Sequence, residues 1–234
     1  MSNGDLSNDR QAVTFQYSKQ GPKLSGAFLR SFPPGATIFE HDNDSSRILF
    51  IKSGWVISSK NLSNGTRIVT EFALGGDMLS SVSAALAQES VQAVSPVTGY
   101  EFVGQLTGKG SDVSSQLSLI IIIEMMKRQA RMAERLANIG RRDALERTGH
   151  LLLELAARSG ASTKPGFDGF ECPLKQSDIG DAVGLSTVHI NRVLKDMRLN
   201  GLVSFRNGIV EFLNRRKLEE LIEFDASYLA GHMG

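Results

Sequence analysis

The sequence predicts an α+β fold in three parts: an N-terminal antiparallel β-roll of the double-stranded β-helix type, one long helix, and a C-terminal winged helix-turn-helix. Three observations lead there. Short β-branched and aromatic runs separated by turn dipeptides fill residues 32–105. An apolar stripe then recurs at alternating spacings of four and three between residues 119 and 137. Finally a short helix, a glycine turn and a second helix succeed one another from Gln176 to Lys195, followed by two strands around an Asn-Gly pair.

The first part starts after a polar stretch, residues 1–20, which reads as an arm and receives no function. Its strands are expected at Thr37–Phe39, Ile48–Ile51, Trp55–Ser59, Arg67–Phe72, Val91–Val94 and Gly99–Phe102, with turns at Pro34-Gly35, Ser53-Gly54, Asn64-Gly65 and Gly75-Gly76. Asn64-Gly65 is the strongest hairpin signal, because both residue types tolerate the positive φ of a tight turn.

After a polar, glycine-containing break at residues 107–111, helical periodicity runs to about Arg142 with no proline and no glycine before Gly140. Leu119, Ile123, Met126, Ala130, Ala133 and Ala137 follow the heptad seam of a helix packed on a partner helix, which predicts a homodimer. Ile120, Ile121, Met125, Met132 and Leu136 add apolar surface for packing on the roll as well. A second helix is expected from Ala144 to Arg158, ended by a loop that carries Gly160, Pro165, Gly166 and Gly169. The organisation is therefore an arm (1–20), a roll (21–110), a dimerisation helix (111–142), a winged helix-turn-helix (143–217) and a tail (218–234).

Composition sets limits on function. The net charge of +1 does not announce a nucleic-acid partner, yet basic residues cluster at Lys127, Arg128, Arg131, Arg135, Arg141 and Arg142. A second cluster holds Arg192, Lys195, Arg198, Arg206, Arg215, Arg216 and Lys217. One cysteine, Cys172, cannot close an internal disulfide, and the polar opening carries no signal-peptide pattern, which together point to a reducing cytoplasm. The most apolar run, Leu117–Met126, is about half the length a membrane helix needs and contains Glu124, so no membrane anchor is expected.

In the helix-turn-helix, Ile179, Ala182 and Val183 share one face of the first helix, and Gly180 keeps that helix thin where another crosses it. Gly184 stands where the chain must leave the helix in a left-handed conformation, and Ser186 is a good N-cap for the second helix. There, Ile190, Val193, Leu194 and Met197 form the buried stripe. Val188, Arg192 and Lys195 lie opposite it, with Thr187 and Asn191 on one flank and His189 on the other. Placed in a major groove of double-stranded DNA, Arg192 has the donor fork for a guanine edge, Asn191 can reach a base or phosphate, and Val188 can meet a thymine methyl. Gln176 and Ser177 stand where side chains and backbone amides can hold phosphates. Leu202 to Leu213, around Asn207-Gly208, reads as the wing.

The whole arrangement resembles the Crp/Fnr family of bacterial transcription regulators, which join a cyclic-nucleotide-binding-type β-roll to a winged helix through a long dimerising helix. In the roll the resemblance rests on Pro34-Gly35 with Ile38-Phe39, Phe50-Ile51 with Gly54, Asn64-Gly65 and Gly76-Asp77. Further on it rests on Asn138 to Asp143, Gly184 to Lys195 and Glu223 to Leu229, which look like a subgroup common in alphaproteobacteria. It implies a homodimer on a palindromic DNA site, RNA polymerase as a further partner, and a roll that serves as an effector or regulatory domain. Gly76, Asp77, Ser90 and Val91 are then the candidates for lining an effector pocket.

Departures from the family pattern qualify this. Cyclic-nucleotide binders neutralise the cyclic phosphate with an Arg followed by Ser or Thr, whereas residues 80–98 contain no Arg or Lys, and burying an unpaired phosphate is costly. The reading is therefore a regulator without that contact, the alternatives being a cyclic AMP- or cyclic GMP-dependent relative and an unknown small-molecule effector. One cysteine cannot ligate an iron–sulfur cluster within one chain. His41, His150, His189 and His232 show no ligand spacing for haem or metal, so no cofactor is expected. Many relatives carry Glu where Val188 stands, which removes an acceptor for a cytosine amino group. Cys172 is a candidate redox switch beside the first reading helix, against the plainer reading of a packed strand residue. A cupin-like enzyme is the remote alternative, with only His41 in the β region to serve it and no catalytic residue to name.

Overall fold

A computed structural model describes residues 27–39, 46–103, 115–160 and 166–229 of the chain. The N-terminal arm, the break at 107–111, Pro165, His41 and His232 lie outside these residues.

The roll is built from two four-stranded antiparallel sheets. β1 (Phe28–Phe32), β8 (Val97–Val103), β3 (Arg47–Ser53) and β6 (Met78–Ser80) form the first, in that order. β2 (Thr37–Phe39), β7 (Ser90–Ala93), β4 (Val56–Asn61) and β5 (Arg67–Ala73) form the second. Between them Phe39, Leu49, Ile51, Val56, Leu79, Val91 and Val97 are buried in one apolar cluster. All six expected strands are present. β1, β6 and a short helix, α1 (Ser81–Ala87), were not expected. α1 is capped by the Ser80 side chain, which accepts from the Ser83 amide, and it ends at Gln88 in the left-handed conformation.

The Asn64-Gly65 hairpin differs from expectation. Only Gly65 has positive φ, the Leu62 amide donates to the Thr66 carbonyl (2.8 Å), and the Asn64 side chain accepts from the Thr66 amide (3.0 Å). Asn64 thus stabilises a five-residue loop through its side-chain oxygen instead of a two-residue turn through its backbone.

α2 (Ser115–Arg141) is one continuous helix of 27 residues, roughly 40 Å long. Its start packs on the first sheet, where Leu117 joins Ile48, Phe50 and Phe102. Its inward face is then held by charges. Arg131 Nε donates to both oxygens of Glu71 (3.3 and 3.2 Å), Arg135 donates to the Thr70 carbonyl (2.7 Å), and Arg128 pairs with Glu89. Three members of the first basic cluster, Arg128, Arg131 and Arg135, therefore face the roll and are not free to hold phosphates, whereas Arg141 is exposed and Lys127 and Arg142 pair with Glu124 and Glu134 of the same helix. Burial pushes the Glu71 carboxyl up, but Arg131 and Arg158 more than offset this and hold it below the usual carboxylate range.

α3 (Ala144–Ser159) begins with a full capping box: Asp143 accepts from the Leu145 and Glu146 amides while Glu146 accepts from the Asp143 amide. The winged unit continues with β9 (Gly169–Glu171), α4 (Gln176–Val183), α5 (Thr187–Leu199), β10 (Val203–Arg206), β11 (Ile209–Phe212) and α6 (Arg215–Ile222). β9 adds a third strand to the wing, in the order β10-β11-β9. The expected boundary at residue 217 falls inside α6, whose Leu218 and Ile222 are buried in the winged unit's core, so this helix belongs to it.

Roll and winged unit share a continuous core. Ile57, Val69, Phe72 and Leu74 cluster with Leu151, Phe170, Ile179 and Val210, and Trp55 stacks on Phe170 at 6.2 Å between ring centroids. No described helix is long and apolar enough to cross a membrane.

Candidate nucleic-acid interface

α4 and α5 owe their crossing to two glycines. A Cβ on Gly180 would stand 2.6 Å from the Leu185 carbonyl oxygen, so only glycine lets the turn pass this close to α4. Gly184 adopts the left-handed conformation (φ 71°, ψ 38°) and donates its amide to the Gly180 carbonyl. Ser186 then caps α5, its hydroxyl accepting from the His189 amide at 3.3 Å. The Asp178 carboxylate accepts from the Lys175 amide at 2.9 Å and closes the start of α4.

With the turn fixed, α5 shows two faces. Ile190, Val193, Leu194 and Met197 are buried, as their spacing predicts. Thr187, Val188, His189, Asn191, Arg192 and Lys195 are exposed, as is the capping residue Ser186, and Val188 leads outward with 65% of its surface accessible. Among the described residues neither Arg192 nor Lys195 has an ion-pair partner, so both charges are available to a ligand. Asn191 donates its amide to the Thr187 carbonyl (2.9 Å), which leaves its side-chain oxygen facing outward as an acceptor. Gln176 and Ser177 are half-buried at the start of α4. The wing turns at Asn207 and Gly208, both with positive φ (51° and 73°), in the two-residue geometry the sequence predicts.

A contact that spacing did not reveal links the roll to this unit. Arg67 of β5 donates to Asp178 (2.7 Å) and Asp181 (3.2 Å) of α4. Nothing local signals a pair 111 residues apart.

The outward stripe of α2 overlaps the expected seam and is wider than it. Leu119, Met126, Ala133 and Ala137 are exposed, but Ile123 and Ala130 are half-buried. Ile122, Met125, Met132 and Leu136 are exposed as well, Leu136 most of all at 73%. The outward face is set by the buried pairs of Arg128 and Arg131, which apolar periodicity alone could not weigh.

The effector candidates are not brought together. Gly76 and Asp77 line a cavity of about 250 Å³ between roll, α2 and α3, where Asp77 is held by Arg158 (2.7 Å). Ser90 and Val91 are not in its wall; Ser90 is exposed, and Val91 is buried inside the roll. Cys172 is 1% exposed and burial pushes its thiol up to about 12, which suppresses the thiolate that oxidation requires. This geometry favours the packed reading over the switch, with Cys172 placed just past the end of β9 and not within a strand. His150 is likewise committed, with Nδ1 against the Asn138 amide (3.0 Å) and Nε2 against Glu134 (3.1 Å).

Comparison with known proteins matches the unit that carries the outward face of α5 to a known domain. The Crp-like helix-turn-helix domain family matches residues 146–221. The nitrogen fixation regulation protein FixK of Bradyrhizobium diazoefficiens is 25% identical over 194 residues, covering 81% of this chain and 80% of its own. The cAMP-activated global transcriptional regulator CRP of Escherichia coli is 23% identical over 190 residues, covering 77% and 87%. Among solved structures, FixK2 from Bradyrhizobium japonicum shares the fold with a TM-score of 0.69 at 22% identity, over 83% of this chain and 96% of that one. These relatives are regulators and not enzymes, which sets aside the cupin-like reading. Residues 146–221 thus form a Crp-like helix-turn-helix domain, and over most of its length the chain is similar to the transcription regulators FixK and CRP of the Crp/Fnr type.

Proposed function

We propose that the chain binds a two-fold symmetric site on double-stranded DNA as a homodimer, in the bacterial cytoplasm, with RNA polymerase as a further partner. The observation that carries this is the outward face of α5, where Val188, Asn191 and Arg192 are exposed and Arg192 has no internal ion pair among the described residues. Arg192 would read a guanine edge, Val188 a thymine methyl, and the start of α4 at Gln176 and Ser177 would hold a phosphate. Two copies joined along the exposed stripe of α2 would set the reading helices about 34 Å apart, one turn of DNA.

The roll is the regulatory domain on this reading, without the Arg-Ser contact to a cyclic phosphate and without an iron–sulfur cluster, for which one cysteine does not suffice.

Sedimentation combined with DNA-binding anisotropy tests it, using Leu136→Glu to place a charge at the most exposed apolar position of α2. The wild type should sediment as a dimer. The variant should become monomeric and lose about 100-fold in affinity for the symmetric site, because the second half-site is no longer tethered. A wild-type monomer, or a variant with unchanged affinity, would overturn the reading.

A further inference from the structure

One buried ion pair stands apart from the joint between roll and winged unit. Glu89 is 2% exposed and sits just after α1, where the helix end fixes it: Gln88 is left-handed, and the Glu89 amide donates to the Ala84 carbonyl at 2.9 Å. Arg128, on the roll-facing side of α2, grips both carboxylate oxygens through Nη2 (2.9 and 2.7 Å) and donates through Nη1 to the Ser83 hydroxyl at 3.0 Å. Arg128 Nε is buried without a partner among the described residues, so the guanidinium is oriented for Glu89 at the expense of one donor. Residues 80–98 supply no cation of their own, and Glu89 immediately precedes Ser90, one of the effector-pocket candidates.

We propose that Glu89 is a built-in counter-anion for Arg128, doing within the chain what a carboxylate- or phosphate-bearing effector would do from outside. The pair fixes the rotation of α2 against the roll. A helix turns 100° per residue, so a small rotation about its axis would carry Ile122, Met125 and Leu136 away from the face a second copy needs. With the anion supplied covalently, the dimer-competent arrangement forms without an anionic ligand at this point. Removing the carboxylate leaves a partly buried, unneutralised guanidinium, which is unfavourable until another small anion enters.

This rests on the DNA-binding reading above, and the experiment separates the two. DNA affinity is measured by anisotropy on the full chain at constant ionic strength, with sodium formate exchanged for sodium chloride, and with cyclic AMP as a second probe. Wild type should be indifferent to both. Glu89→Ala should bind DNA about tenfold or more weakly, with most of the loss repaired by formate. Glu89→Gln, which keeps the shape and loses the charge, should be weakened in the same direction. Arg128→Met should be weakened beyond repair by formate, and Glu89→Ala/Arg128→Met should be no worse than Arg128→Met alone. Full affinity in Glu89→Ala, or a loss that formate leaves in place, overturns the proposal. If the wild type binds no DNA, the DNA-binding reading falls by itself, and amide exchange around Gln88–Val91 decides the present question. Exchange there should be faster in Glu89→Ala and slowed again by formate; unchanged exchange overturns the counter-anion role.

Discussion

Replacing Gly180 with alanine puts the geometry of the reading unit under direct load. The added Cβ would lie 2.6 Å from the Leu185 carbonyl oxygen and 3.8 Å from Ile190 Cγ2. An ordinary contact needs about 3.5 Å, so the turn must retreat by roughly 0.9 Å. The Leu185 carbonyl cannot move alone, because the amides of Gly184 and Leu185 both donate to the Gly180 carbonyl, the latter at 2.9 Å. The crossing of α4 and α5 must therefore open, at about 1–3 kcal/mol of overpacking. Alanine returns up to about 1 kcal/mol through its better helix propensity, leaving a net loss of about 1 kcal/mol. The effect on DNA should be larger than on stability, since α5 moves relative to the start of α4, the end we propose holds phosphate; about tenfold in affinity is expected from weakening one base contact. Urea unfolding followed by circular dichroism and DNA-binding anisotropy on the same samples give both numbers. A variant as stable as wild type with unchanged DNA affinity would refute the close-packed turn.

Acid should weaken the fold through His150. Burial first, and Arg142 second, lower its pKa from 6.5 to about 4 against the opposing pull of Glu134. The folded value lies below the unfolded one, so the unfolded chain binds more protons between pH 4 and 6.5, and stability falls as pH drops through that window. The loss should be on the order of 2–3 kcal/mol, and His150→Gln should flatten this limb of a urea-stability profile; an unaltered slope would count against the assignment. Arg158→Met should cost about 3–5 kcal/mol at neutral pH, because a buried cation shared by Asp77 (2.7 Å), Glu154 (2.9 Å) and Glu71 (3.5 Å) is removed. That deficit should shrink as the carboxylates protonate on acidification, and a deficit that grows instead would contradict the account.

What the sequence made legible was local. The two faces of α5, the caps at Gly184 and Ser186, and the wing turn at Asn207-Gly208 depend on residues within a few positions of one another, and each stands where spacing puts it. Elements without a clear alternation were missed. In β1, Phe28 and Leu29 are both exposed at a sheet edge, and β6 has three residues. α1 is mostly serine, valine and alanine, with few cues to its state beyond the Ser80 cap.

The larger misreading concerned charge. Arg128, Arg131 and Arg135 look in sequence like a basic stripe for phosphates, yet their acceptors, Glu89, Glu71 and the Thr70 carbonyl, lie 39, 60 and 65 residues away. Sequence separation of this kind also hid the Arg67–Asp178 bridge. The same pairs turn α2 so that Ile122 and Leu136, and not Ile123 and Ala130, lead the outward stripe. Apolar periodicity ranks faces by hydrophobicity, and a buried arginine that meets a carboxylate reverses that ranking.

The central claim is that Arg192 reads bases on a symmetric site. Selection of bound DNA from a random pool with the wild-type chain should return a two-fold symmetric sequence. Affinities of wild type and Arg192→Ala, measured against that sequence and against unrelated DNA, then test the claim most directly. The account predicts that Arg192→Ala loses about 1–3 kcal/mol on the selected site and leaves weak, salt-sensitive binding to unrelated DNA nearly unchanged. An equal loss on both DNAs would contradict it, because Arg192 would then be holding phosphates instead of reading bases.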